Sequence, residues 1–117
     1  MITREFGEEF AKEWIAAWNS HDLERVLSHY ADDFTMSSPY IAQIAGVASG
    51  SLTGKPAVRA YWSAALERMP TLRFAHVQTL MGADSVAIYY RGVRGMAAEI
   101  FFFGPDRLIH KAAAHYE

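Results

Sequence analysis

Glu99 is the one acid in the run Met96 to Phe103, where the other seven residues are Met, Ala, Ile and Phe. In a β-strand Glu99, Phe101 and Phe103 share a face, so an inward register carries a carboxyl into an apolar interior. Without a partner there, the group is harder to ionise. Kept neutral it donates a hydrogen bond to a carbonyl or alcohol oxygen; ionised, it accepts a proton from carbon or water. A one-residue register shift instead turns Glu99 to solvent or to a dimer contact. The same inner face is expected to hold three other polar groups, His76, Tyr90 and His110. For His76 the alternative is a hydrogen bond within the core or its rim. The remaining pocket candidates are Trp14, Trp18, Tyr30, Phe34, Met36, Trp62, Phe101 and Tyr116, a ring-rich set suited to a small apolar or aromatic molecule with one hydrogen-bonding handle.

Helices and strands must position these groups. Thr3 is a candidate N-cap, and Phe6, Phe10, Trp14, Ala17 and Trp18 come after it at the spacing of one helical face. Asp22 caps a second, short helix striped by Leu23, Val26, Leu27 and Tyr30, which Ala31-Asp32-Asp33 ends. Phe34-Thr35-Met36 alternates as a short strand before Ser37-Ser38-Pro39 turns the chain. From Tyr40 to Lys55 no period is sustained, which reads either as a lid or as a disordered surface loop. Pro56 opens a third helix with Val58, Tyr61, Trp62, Ala65, Leu66 and Met69 on its apolar face, and Pro70 stops it. Trp14 and Trp62 are expected on the cavity side of their helices.

Four strand runs complete the chain, near 72–81, 85–93, 96–103 and 107–116, separated by Gly82-Ala83-Asp84, Arg94-Gly95 and Gly104-Pro105-Asp106. Leu72, Phe74, His76, Gln78 and Leu80 share one face of the first; His110, Ala112, Ala114 and Tyr116 share one of the last. The result is an α+β fold in which helices cover one side of an antiparallel sheet. The other side is left open, and Ala75, Val77, Val93, Ile109 and Ala113, mixed with Arg73, Arg91 and Lys111, are expected to make it a homodimer interface.

The 117 residues suit a single domain, 1–117, with half of them apolar. A net charge of −2 offers no basic face, so nucleic acid is not expected as a partner. No cysteine is present, which excludes disulfides and thiolate metal sites. The five histidines form no His-x-x-x-His pair or carboxylate facial set, so neither metal nor cofactor is expected. No apolar stretch reaches the ~18 residues of a membrane span, and no secretory signal is visible, so no membrane association and a cytoplasmic location are expected.

The order of these elements resembles the nuclear transport factor 2-like superfamily over nearly the whole chain. Ala17-Trp18-Asn19-Ser20-His21-Asp22-Leu23, then Tyr30-Ala31-Asp32-Asp33-Phe34, is similar to the first helical hairpin of its polyketide cyclase (SnoaL)-like members. Leu52-Thr53-Gly54-Lys55-Pro56-Ala57-Val58 and the closing Ala114-His115-Tyr116-Glu117 carry the likeness further. The resemblance implies three helices and a curved antiparallel sheet forming a cone-shaped cup around an apolar pocket. It does not fix a reaction, because the superfamily includes isomerases, dehydratases, cyclases, epoxide hydrolases and proteins without catalysis.

Catalytic patterns of the superfamily carry over only in fragments. Where its ketosteroid isomerases have a tyrosine donor, an aspartate base and a protonated aspartate, this chain has Trp14, Ser38 and Glu99. An indole is a far weaker acid than a phenol, and a serine is no carboxylate base. Ala97-Ala98-Glu99-Ile100-Phe101 lacks the arginine of the epoxide hydrolase strand, and Lys111 to His115 lacks the aspartate of the cyclases. Pro70-Thr71-Leu72-Arg73-Phe74-Ala75-His76 resembles the scytalone dehydratase stretch around a catalytic histidine, which gives His76 that role; Trp18 and Asn19 stand where that enzyme has a tyrosine and an aspartate. The reading is a binder of a small, mostly apolar ligand, with isomerase or dehydratase chemistry through Glu99 and His76. Its alternative is a non-catalytic ligand-binding or dimerisation module.

Overall fold

A computed structural model describes residues Met1–Glu117. The first helix, α1 (Arg4–Ser20), begins where the Thr3 hydroxyl accepts a hydrogen bond from the Phe6 amide. It ends at His21, which adopts the left-handed conformation and is held there by a 2.8 Å contact between its Nε2 and the Leu72 carbonyl. Asp22 then caps the short α2 (Leu23–Leu27) through the Arg25 amide. The buried face of α1 consists of Gly7, Phe10, Ala11, Trp14, Ala17 and Trp18; four of them belong to the expected stripe, whose first member, Phe6, is half-buried.

Strand β1 (Tyr30–Ser37) is longer than expected and starts at Tyr30, which therefore belongs to the strand and not to the stripe of α2. The stretch from Tyr40 to Lys55 is no structureless loop. Ser38 accepts from the Tyr40 amide and Pro39 fills the first turn of α3 (Pro39–Ile44); β2 (Ser51–Thr53) then pairs antiparallel with β1. Gly54 leads into α4 (Lys55–Arg68), which buries Val58, Tyr61, Trp62 and Ala65.

The remaining strands are β3 (Ala75–Met81), β4 (Ser85–Gly92), β5 (Gly95–Phe103) and β6 (Ile109–Tyr116). All six strands form one curved, open sheet in the order β2-β1-β6-β5-β4-β3, antiparallel except where β1 runs parallel to β6. The helices cover its inner face and enclose a core of 24 residues rich in rings.

Two bulges change which residues face inwards. Between His76 and Gln78 the β3–β4 register slips, so Thr79 is buried opposite Ile88 while Leu80 turns outwards, 55% exposed. A second slip lies between Phe102 and Phe103: their partners on β6 are Lys111 and Ile109, leaving His110 as the extra residue. Ile109 consequently points into the core, fully buried, and not to the open face expected for it.

Candidate functional site

The concave side of the sheet holds a cavity of about 80 Å³, open at one end. Its floor and walls come from α1 (Trp14, Trp18), β1 (Met36), α4 (Tyr61, Trp62, Ala65), Phe74 and β4 (Tyr90). Glu99 reaches it from the middle of β5.

Packing fixes the aromatic wall. Trp14 stacks on Phe74 at 5.6 Å and meets Tyr90 and Phe101 edge-on at 5.3 and 5.2 Å. Trp18 meets Trp62 edge-on at 5.1 Å. Asn19 clamps the backbone of Phe74 from both sides: its amide nitrogen donates to the Phe74 carbonyl at 3.0 Å, and its amide oxygen accepts from the Phe74 amide at 2.7 Å. A residue at the end of α1 thereby positions a cavity wall just before β3 begins.

Glu99 is buried, 4% exposed. Its neighbours across the sheet are Ile88 and Ala114, and the residues sharing its face along β5 are Ala97 and Phe101. None of them carries a polar side chain, and no group of the protein hydrogen-bonds the carboxyl. Burial alone pushes its pKa up to about 8. Four tyrosines gather around it: Tyr30, Tyr61, Tyr90 and Tyr116 all have their phenol pKa raised, first by burial and in part by proximity to Glu99. They stay protonated and act as hydrogen-bond donors or acceptors, not as bases.

Two positions compared above with isomerase groups are already engaged. The Trp14 indole donates to the Tyr30 hydroxyl at 3.1 Å. The Ser38 hydroxyl accepts from the Tyr40 amide at 3.2 Å and from the Tyr61 hydroxyl at 3.4 Å. Trp18 differs: its indole N–H is buried and has no partner.

Of the residues singled out from sequence, Glu99, Trp14, Trp18, Met36, Trp62, Tyr90 and Tyr116 line the cavity. Tyr30, Phe34 and Phe101 are fully buried in the core behind it. His76 is not brought to Glu99. It lies on the helix side of the sheet, but β3 is the edge strand, and there the inner side extends past α1 to a surface groove beside Lys12 and Ile15. Its Nε2 is 2.7 Å from the Thr79 hydroxyl. His110 is exposed as the bulge residue of β6 and contacts both Asp106 carboxylate oxygens at 3.0 Å.

Sequence reasoning missed the mouth. Tyr40, from α3, stacks on Tyr116 at 4.3 Å, and the Arg94 guanidinium lies over Tyr40 at 5.2 Å. Arg94 occupies the two-residue turn between Gly92 and Gly95. The readable signal for Tyr40 was the Ser38-Pro39 helix start; nothing in sequence brings it to Tyr116.

Residues 11–108 match the profile of a family described as the SnoaL-like domain. A crystal structure of a SnoaL-like protein of unknown function from Burkholderia thailandensis is 58% identical, with 99% of this chain and 98% of that one covered and a TM-score of 0.95. The fold is shared with SalBIII, an epoxide hydrolase/cyclase-like enzyme in pyran ring formation in salinomycin, at 16% identity, 100% and 95% coverage and a TM-score of 0.78. It is shared also with TerC co-crystallised with polyporic acid, at 15% identity, 96% and 92% coverage and a TM-score of 0.76. No curated protein matches the sequence. No helix is long and apolar enough to cross a membrane.

Proposed function

The chain belongs to the SnoaL-like family, and we propose that its cavity binds a small, mostly apolar organic molecule through one oxygen function held by Glu99. The observation that carries this reading is a buried carboxyl beside open space with no hydrogen-bond partner of its own. An unmatched buried polar group costs stability, which a ligand oxygen would offset. Rings on the other walls supply apolar contact and fix the orientation of a flat molecule.

Glu99 suits chemistry that needs one proton carrier. In an isomerisation Glu99 is ionised and faces carbon in place of the ligand oxygen: it removes a proton from one carbon and returns it to another, while a tyrosine hydroxyl donates to the oxygen that gains charge. Dehydration through a Glu99 and His76 pair is not supported, since His76 opens onto another surface. A non-catalytic binding role is the second reading, favoured by the prior engagement of Trp14 and Ser38.

Cyclohex-2-enone and cyclohex-3-enone separate these roles. Saturable shifts of the Trp14, Trp18 and Trp62 indole resonances with the first are expected; their absence would refute binding. With the second, Glu99 takes a proton from C2 and returns it at C4, moving the double bond into conjugation with the carbonyl. Turnover that rises as pH passes about 8 and disappears in Glu99→Gln is expected. Binding with no turnover would leave the binding role alone.

We further propose that two copies pair through the outer sheet face. Its exposed apolar residues are Leu80, Tyr89 and Phe102, which alternate with the inward set on β3, β4 and β5. Ala113 and Lys111 belong to this face as expected, whereas Ile109 does not.

A further inference from the structure

Arg94 is the only basic residue lining the cavity. It stands in a tight turn at the mouth, where Gly92 pairs with Gly95, and its guanidinium is held over the Tyr40 ring. Tyr40 is itself fixed by stacking on Tyr116. A guanidinium resting on an aromatic face keeps its N–H edges free, in the fork geometry that receives a carboxylate with two parallel hydrogen bonds. Elsewhere Arg4, Arg25 and Arg59 are each paired with a glutamate, at Glu8, Glu13 and Glu24. Arg94, like Arg68, Arg73, Arg91 and Arg107, forms no ion pair, and of these five it alone lines the cavity. Glu117 lines the same mouth beside Gly95 and does not pair with it.

We infer that the occupant of this cavity is an organic carboxylate: its apolar ring lies against the aromatic wall, an oxygen on that ring meets Glu99, and its carboxylate meets Arg94 at the mouth. This rests on the ligand-binding reading of the cavity given above and adds the charge and polarity of the ligand. From Gly95 to Glu99 the strand advances roughly 13 Å. Glu99 and the Arg94 turn mark the two ends of that length, so a molecule of one ring can address Glu99 with one polar group while its carboxylate stays outside the enclosed volume, at the mouth. With Glu99 unionised at neutral pH, the cavity interior does not repel an anion; at the mouth Glu117 offsets part of the charge of Arg94, so the preference for a carboxylate comes from the two parallel hydrogen bonds of the guanidinium fork.

The chain is titrated with 4-acetylbenzoate and with 4-methylacetophenone, which keeps the ring and ketone but lacks the carboxylate. Indole resonances of the three cavity tryptophans report binding. The expected result is a preference for 4-acetylbenzoate of roughly three- to ten-fold at low ionic strength, weakening as salt is added. In Arg94→Gln the ratio of the two affinities falls to about one, and Arg94→Lys, which keeps the charge but not the fork, gives an intermediate ratio. Two bound probes with the same ratio in parent and Arg94→Gln would overturn the inference while sparing the ligand-binding reading. If neither probe binds the parent, both fall together.

Discussion

Replacing Glu99 by Gln should change how stability depends on pH more than it changes stability at any acidic pH. The carboxyl rises from 4.5 to about 8 on folding, so between those values the folded chain holds a proton that the unfolded chain releases. Stability therefore carries no penalty from Glu99 below pH 4.5, declines as pH rises towards 8, and carries the full penalty above it. The rise corresponds to ~5 kcal/mol at about 1.4 kcal/mol per pH unit, and to ~3 kcal/mol of it at pH 7. Against a total of about 5–15 kcal/mol for a domain of this size, that is a large effect. Gln keeps nearly the same shape and does not titrate. Urea unfolding of both proteins from pH 5 to pH 9 isolates the difference, because every other titrating group cancels. The variant should gain several kcal/mol on the parent across that range. Parallel profiles would refute a buried, unpartnered carboxyl at position 99.

Trp14→Phe and Trp18→Phe remove similar ring volume but unequal hydrogen bonding: the first also leaves the buried Tyr30 hydroxyl without its donor, whereas the second deletes an N–H that has no partner. Trp14→Phe should cost ~1–3 kcal/mol more in urea unfolding. Glu13 is held at a pKa of about 2, chiefly by the Arg25 guanidinium with His29 assisting. Its contribution is present above pH 4.5 and lost as pH falls towards 2, so Glu13→Gln should flatten that acid limb in thermal melts. Tyr89→Glu on the outer sheet face should shift sedimentation at micromolar concentration from dimer to monomer; a parent that is already monomeric would sink the proposed pairing.

Legibility in the sequence tracked the length and regularity of each signal. The three- and four-residue spacing in α1 and α4 placed Trp14, Trp18 and Trp62 correctly, because a long amphipathic helix has one face to bury. Strict alternation along β4 and β5 likewise placed Tyr90 and Glu99. The same rule failed for Leu80 and His110, since one extra residue at each bulge reverses the alternation of the strand beyond it and leaves no mark in composition. His76 failed for another reason: its strand is the sheet edge, and inner orientation there does not mean enclosure. The short α3 was hidden because six residues cannot show a period, although Ser38-Pro39 carried its start signal. Arg94 was read only as part of a turn, because its role depends on Tyr40 and Tyr116, which the fold brings to it from far along the chain.

The central claim, a carboxyl kept neutral inside a ligand cavity, is tested most directly by tracking the Glu99 side-chain carbon in carbon-13 glutamate-labelled protein through pH 3 to pH 10. Glu99→Gln identifies the resonance by its disappearance. A midpoint at about 8, displaced when 4-acetylbenzoate is added, is the predicted result. A midpoint near ~4.3, indifferent to that probe, would contradict it.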